Sequence, residues 1–374
     1  MEDSASDNDC SSQLTLTLIV NDIPQINTEP SSLFLCDENT DGFGIFDLST
    51  SNEELLNGLD PSDFTITYYE AQDDAQNALN AIVTPYNYTN ATAFNQFVWV
   101  RIENNTTACY NVGSIELIIN ELPVLTQPTP LNLCDYNNSG DEVEGFTLED
   151  SIGEVLQGQT GINISFHESQ EDADNAANAL VSPYNNTANA QTIYIRGEDE
   201  ITGCYTTITL DLRVNPIPSP IAPEPIEECD DDNDGFTFFN LETNEEEIIN
   251  GELDIVLSYY STLANAQNDV NAIDVVNPYY NIVPDNQIIF VRAENELTGC
   301  FTIVEQELIT IPSPEIPLII EDIIVCDDDY NDIALFDLTQ REEDILGEQS
   351  SSEVILTYHE SLLDAETGDS PIVN

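Results

Sequence analysis

Aspartates fill the first, third and fifth places of Asp230-Asp231-Asp232-Asn233-Asp234, and Gly235 stands sixth. Oxygen ligands at alternate places of a tight loop suit a hard divalent cation, and only glycine turns so sharply without a Cβ clash. The phrase recurs as Asp37, Asn39 and Asp41 before Gly42, and as Asp135, Asn137 and Ser139 before Gly140. A fourth copy, with Asp327 and Asp329, lacks the glycine. These residues are the expected ligands of a structural calcium ion, with an affinity of ~10⁻⁴–10⁻³ M, as in extracellular modules. A full EF-hand carries a bidentate Glu at the twelfth place, where Leu48 and Leu241 stand here. Asp47, Asn240 or Asp337, one residue earlier, is the candidate late ligand. Asp, Asn and Gly also build turns that hold no metal.

A cysteine precedes every copy, at 36, 134, 229 and 326, and a second set falls at 10, 109, 204 and 300. The period is therefore 95 to 99 residues, the size of an immunoglobulin domain. Regular spacing without a CxxC points to disulfides and an oxidising exterior. Two pairings fit. Bonds within a repeat would join Cys36 to Cys109, Cys134 to Cys204 and Cys229 to Cys300. Bonds across the linkers would join Cys10 to Cys36, Cys109 to Cys134, Cys204 to Cys229 and Cys300 to Cys326. The first is preferred, because an extended proline linker would carry the cysteines of the second apart.

The elements that position these residues follow from patterning. Strands alternate at Phe64–Tyr69, Phe97–Arg101 and Thr206–Val214, with copies at Ile162–His167, Ile255–Tyr260, Val354–His359, Thr192–Arg196 and Ile289–Arg292. Ala71, Ala75, Ala78, Leu79 and Ile82 share one helical face, as do Ala173, Ala176, Ala177 and Leu180, so one short helix crosses each repeat. Pro-Tyr-Asn turns follow at 85–87 and 183–185. The expected fold is all-β: tandem immunoglobulin-like antiparallel β-sandwich repeats with a short helix in each.

Proline-rich segments at 24–30, 122–130, 216–225 and 312–317 read as semi-rigid spacers. They set the divisions: 1–22, the last strands of a truncated repeat, with Ser11–Val20 as its final strand; full repeats at 23–121, 122–216 and 217–312; and 313–374, the first part of another. On this reading the chain is a fragment of something longer.

The charge excludes some partners. Against 72 Asp and Glu stand five arginines and no lysine, a net charge of -67. Such a chain repels nucleic acid phosphate and anionic lipid. No apolar run reads as a signal peptide or a membrane span. With 41% hydrophobic residues the chain has the material for cores. Arg101, Arg196 and Arg292 hold one equivalent position, which fits a bidentate pair with Glu103, Glu198 or Glu294 nearby, or with an aspartate of the cation loop. His167 and His359 replace strand tyrosines and are not placed as catalytic bases. No triad or zinc set is present, so the chain is expected not to be an enzyme.

Cys-Asp-x-x-x-Asp-Gly with Phe-Asp-Leu, Thr-Tyr-Tyr-Glu with Asp-Ala, and Val-Arg-x-Glu-Asn with Thr-Gly-Cys-Tyr resemble the repeat unit of very large surface proteins of Bacteroidetes. That resemblance implies export by the type IX secretion system, as in proteins with a gliding-motility-associated C-terminal domain, and a place outside the outer membrane. It implies a stalk or adhesin, stiffened by disulfides and calcium, that contacts a surface ligand, glycan or protein, or presents a distal domain. Neighbouring repeats are its nearest partners. The alternative is a set of accessory modules of a secreted polysaccharide-degrading enzyme. Glycan binding by the modules predicts exposed aromatics clustered on one face, and Trp99, the only tryptophan, sits in an apolar strand.

Overall fold

The structure is a computed structural model that describes residues 13–317, 319–327, 332–350, 352 and 354–373. It divides into two compact units, Met1–Leu133 with Glu142–Val214, and Cys134–Asp141 with Asn215–Asn374.

In the first unit, the first repeat runs β1 (Leu33–Cys36), β2 (Ile45–Phe46), α1 (Asn52–Leu56), β3 (Phe64–Tyr69), α2 (Gln72–Asn77), β4 (Tyr88–Thr89), β5 (Asn95–Asn104) and β6 (Tyr110–Asn120). One sheet has the order β1-β6-β5-β3 and the other is the pair β2-β4. Alternation decides the faces: Val98, Val100 and Ile102 of β5 and Ile115 and Leu117 of β6 are buried, and they meet Leu48, Leu55 and Phe46 from the other side. Trp99 lies on the opposite face of β5, half-buried. The second repeat builds the same four-stranded sheet from 131–134, 205–215, 191–199 and 162–167, over a core of Phe146, Leu148, Val155, Ile193, Ile195 and Leu210.

In the second unit, the third repeat sets 226–230, 301–312, 286–295 and 255–260 in the same order, and pairs Phe238–Phe239 with Tyr279–Tyr280. Its core holds Phe239, Leu241, Ile248, Ile289, Val291 and Leu308. The all-β, immunoglobulin-like sandwich repeat is as expected.

Several local expectations change. The first and last strands of the first and third repeats pair in parallel, Leu33 beside Leu117 and Cys36 beside Asn120, and likewise Ile226 beside Leu308, whereas β2 with β4, β3 with β5 and β5 with β6, and the matching pairs of the other two repeats, are antiparallel. The expected helix is present as α2, but shorter: of its expected face Ala75 lies within it, Ala71 and Ala78 cap it, and Leu79 and Ile82 lie beyond, as Ala176, Ala177 and Leu180 lie beyond the matching helix of the second repeat at 170–174. A second one, α1, forms between β2 and β3: Asp47 caps the turn before it through the Ser49 N–H, and Asn57 ends it in the left-handed region at φ 49°.

The proline segments are packed rather than free. Ser114 N–H donates to Thr28 O, Asn27 N–H to Leu55 O, Thr126 N–H to Val155 O, and Leu125 joins the second core. Each segment hydrogen-bonds to the repeat that follows it, which a spacer would not do.

Residues 13–20 form no strand, and Leu14, Leu16 and Leu18 are exposed. Residues 354–359 form no ladder either: in the other repeats this strand is held by the one after the Pro-Tyr-Asn turn, and no counterpart lies beside it among the described residues.

Candidate functional site

The loop begins where the first strand ends, and its leading aspartate turns inward. Asp37, Asp135 and Asp230 are each 2% exposed. Asp37 accepts the Gly42 N–H at 3.0 Å and the Asp41 N–H at 3.2 Å, so its carboxylate closes the loop on itself. Asp230 accepts the Gly235 N–H at 2.6 Å and the Asp232 N–H at 3.3 Å. Asp135 accepts the Gly140 N–H at 2.6 Å through Oδ2, while its buried Oδ1 has no hydrogen-bond partner. Gly42 and Gly235 sit at φ +74° and +86°, and a Cβ on Gly235 would stand 2.8 Å from that of Pro284.

The remaining expected ligands point outward. Asp41 accepts the Phe43 N–H and the Asn39 side-chain N–H, and Asp234 accepts the Phe236 N–H. Asn137 and Ser139 are exposed. Among the described residues, one metal-ligating cluster of acidic side chains forms: Asp230, Asp232 and Asp234, whose ligand atoms lie within 4.8 Å of one another. The Asp234 charge holds the Asp232 carboxyl above its ordinary range. Asp327 accepts the Asp332 N–H, and Asp329 lies outside the described residues. The candidate late ligands Asp47, Asn240 and Asp337 cap the 3-10 turns that follow them, accepting from Ser49, Glu242 and Thr339 N–H.

Sequence reasoning missed the clamp on the far side of the loop. Asn90, Asn186 and Asn281 are buried, and each receives a loop-exit N–H, from Gly44, Glu144 and Thr237. Asn90 and Asn281 donate back to Gly42 O and Gly235 O. The signal was an asparagine two residues after the tyrosine of β4 in every full repeat.

The cysteine pairing is corrected. Cys36 bonds Cys204 and Cys134 bonds Cys300, while Cys109 and Cys229 are free thiols, as is Cys326. Parallel pairing is the reason. It sets Cys36 beside the end of β6, at Asn120, whereas Cys109 precedes its start. Eleven residues of strand separate those places by roughly 35 Å, and a disulfide needs Cα atoms within ~7 Å. The pairing across linkers fails too, because Cys134 and Cys204 have other partners; Cys10 lies outside the described residues. Each bond runs from the first cysteine of one repeat to the second cysteine of the next.

Beside every second cysteine lies the arginine seat. Arg101, Arg196 and Arg292 pair with Glu103, Glu198 and Glu294 at 2.6, 2.6 and 2.5 Å. Each also donates to carbonyls at the end of the short helix, those of Ala75, Ala173 and Ala266 among them. Each guanidinium covers the ring after the cysteine, Tyr110, Tyr205 or Phe301, at 3.3 to 3.4 Å. Tyr136, two residues after Cys134, packs edge-on against Phe301, and its hydroxyl accepts the Phe301 N–H at 3.3 Å. His167 is buried, hydrogen-bonded to Ser165 and Ala177 O, and has a strand residue's environment.

A family described as the Flavobacterium inter-domain disulphide bond domain matches residues 32–123, 130–218, 225–314 and 322–374. The chain belongs to this family. Its repeats are Flavobacterium inter-domain disulphide bond domains, and the two staggered bonds are of the kind that description names. No curated protein matches the chain. Among solved structures, titin domains I67–I69 are 12% identical over 76% of this chain and 98% of that one, with a TM-score of 0.28. Drosophila N-cadherin EC1-4 is 10% identical over 67% of each chain, with a TM-score of 0.17. The architecture rests on the strand order above and not on these likenesses.

Proposed function

We propose that the chain is a non-catalytic, extracellular array whose work is mechanical: each repeat is stapled covalently to its successor, so that the array resists extension while it adheres to a surface or presents a distal domain. The observation that carries this is the stagger of Cys36–Cys204 and Cys134–Cys300, which bridge 168 and 166 residues of sequence. A bond inside one sandwich would stabilise that sandwich alone, whereas these bonds bear on neighbours. Disulfides of this kind persist outside the reducing cytosol, and among the described residues no helix is long and apolar enough to cross a membrane. The resemblance to exported Bacteroidetes surface proteins supports a type IX export route and a place on the cell exterior.

The array is tested by single-molecule extension of the full chain, oxidised and reduced. Oxidised repeats are expected to yield less contour length on unfolding, because the residues between bonded cysteines cannot extend. Equal lengths in both states would overturn the reading.

Calcium is proposed as a second stiffener of the loops. The Asp135 oxygen left without a partner and the mutual approach of Asp230, Asp232 and Asp234 are what a bound cation would relieve. Asp37, Asn39 and Asp41, and Asn137 and Ser139, would complete their own loops. Millimolar calcium is expected to raise the melting temperature of the chain, and D230A/D232A/D234A to lose part of that rise. Identical melts in calcium and in chelator would leave the loops as turns held by their own backbone.

A further inference from the structure

One face of the third repeat departs from the pattern its neighbours set. Phe238 pairs with Tyr280 on the two-stranded sheet, where the matched pairs are Ile45 with Thr89 and Gly145 with Asn185. Phe238 is 61% exposed, Tyr280 46% and Ile282 64%. Phe236 stacks on Tyr280 at 5.9 Å between centroids, and Phe238 lies against the same ring at 4.9 Å. The other two repeats carry an aromatic pair in this sheet only at the inner position, Phe46 with Tyr88 and Phe146 with Tyr184, the counterparts of Phe239 with Tyr279, so the fold does not require a second pair at the outer one. Ring surface left in water gains free energy when a partner covers it, and such a patch marks an interaction site.

The rings adjoin charge. Phe236, whose ring lies on Tyr280, donates its N–H to Asp234 at 2.9 Å, and Asp234 belongs to the cluster with Asp230 and Asp232. The chain has nothing of its own to set against this face: it has no lysine, and all five arginines are already in ion pairs. A second copy, carrying the same net charge of -67, brings nothing either.

We propose that this face binds an arginine side chain presented by a basic polypeptide partner. A planar guanidinium satisfies both halves of the site at once, stacking on a ring and forking to a carboxylate. A neutral saccharide would use the rings and leave the carboxylates' mutual repulsion in place, and a metal ion would do the reverse. The inference goes beyond the stapled array, since every residue in it belongs to one repeat and none touches a disulfide.

The test measures binding of a fluorescent arginine-rich peptide to the full oxidised chain at physiological salt, in chelator, so that no calcium draws on the same carboxylates. The lysine and glutamine versions of the peptide and a neutral oligosaccharide are run beside it. The deciding variant, F238I/Y280T, installs the first repeat's own residues and leaves the charge unchanged. It is expected to weaken the arginine peptide roughly tenfold, the loss of two ring contacts, while its melt stays that of the wild type. D232N/D234N is expected to weaken binding as well, and the lysine peptide to bind several-fold less than arginine. Should F238I/Y280T bind the arginine peptide as the wild type does, general acidity alone is at work and the site is refuted. Retention of the oligosaccharide by the wild type, lost in F238I/Y280T, with no preference for the arginine peptide, would also overturn it.

Discussion

The arginine seat and the exposed face of the two-stranded sheet sit in the same repeat, and they vary in opposite ways. At the seat, Arg101, Arg196 and Arg292 repeat one arrangement of glutamate, helix carbonyl and ring with distances that agree to about 0.1 Å in each ion pair. On the sheet face, the corresponding pairs are isoleucine with threonine, glycine with asparagine, and phenylalanine with tyrosine. A buried charge leaves little freedom, because losing any partner strands it in low dielectric. An exposed pair is constrained only by strand geometry, so whatever stands there is open to selection for binding. The repeat is thus a constant frame carrying a variable surface.

That contrast breaks most readily at the seat. Arg292→Ala removes an ion pair, a carbonyl contact and the cover over Phe301, and is expected to cost the third repeat about 3 kcal/mol in chemical denaturation. Arg292→Lys is expected to recover less than half, since an ammonium cannot fork and stack together. A loss below about 0.5 kcal/mol would mean that the seat is decorative.

The loop comes next. Gly235→Ala forces a left-handed backbone on a residue with a Cβ and drives it against Pro284, at a cost of about 2 kcal/mol. Gly203→Ala, also at positive φ but with open space around its Cβ, is the control and should cost about half as much.

The smallest effects belong outside. F238I/Y280T is expected to change stability by less than about 0.5 kcal/mol, as exposed substitutions do. Asp232→Asn should raise the melting temperature slightly in chelator at neutral pH. The sign follows from the Asp234 charge, which raises the Asp232 carboxyl: the ionised form opposes folding above that raised value, and the benefit of the amide should fade as pH falls through it. A benefit that grew on acidification would contradict this cause.

Much of the frame was legible in the sequence, for a physical reason. Alternation reports which side of a strand is buried, so the strands around Val98 and Ile195 and the all-β repeat could be read directly. Alternation is silent on which strand lies beside which, and in which direction. The parallel pairing of Leu33–Cys36 with β6 therefore could not be seen, and the choice of Cys36 with Cys109 rested on reading the proline segments as extended spacers, which they are not. The aspartate spacing marked the loop, but the asparagine clamp at Asn90, Asn186 and Asn281 comes from the opposite edge of the sandwich, more than 40 residues away in sequence. The helix at Asn52–Leu56 is only five residues long, too short for a period to show. The aromatic face was invisible for a different reason: Phe238 and Tyr280 look like core residues until the register turns them outward.

The most direct test of the account is peptide mapping of the oxidised chain by mass spectrometry, digested without reduction and with free thiols blocked. The account predicts cross-linked peptides joining Cys36 to Cys204 and Cys134 to Cys300, with Cys109 and Cys229 recovered as blocked thiols. Recovery of Cys36 linked to Cys109, or of Cys134 linked to Cys204, would place each bond inside one repeat and contradict the stapled array.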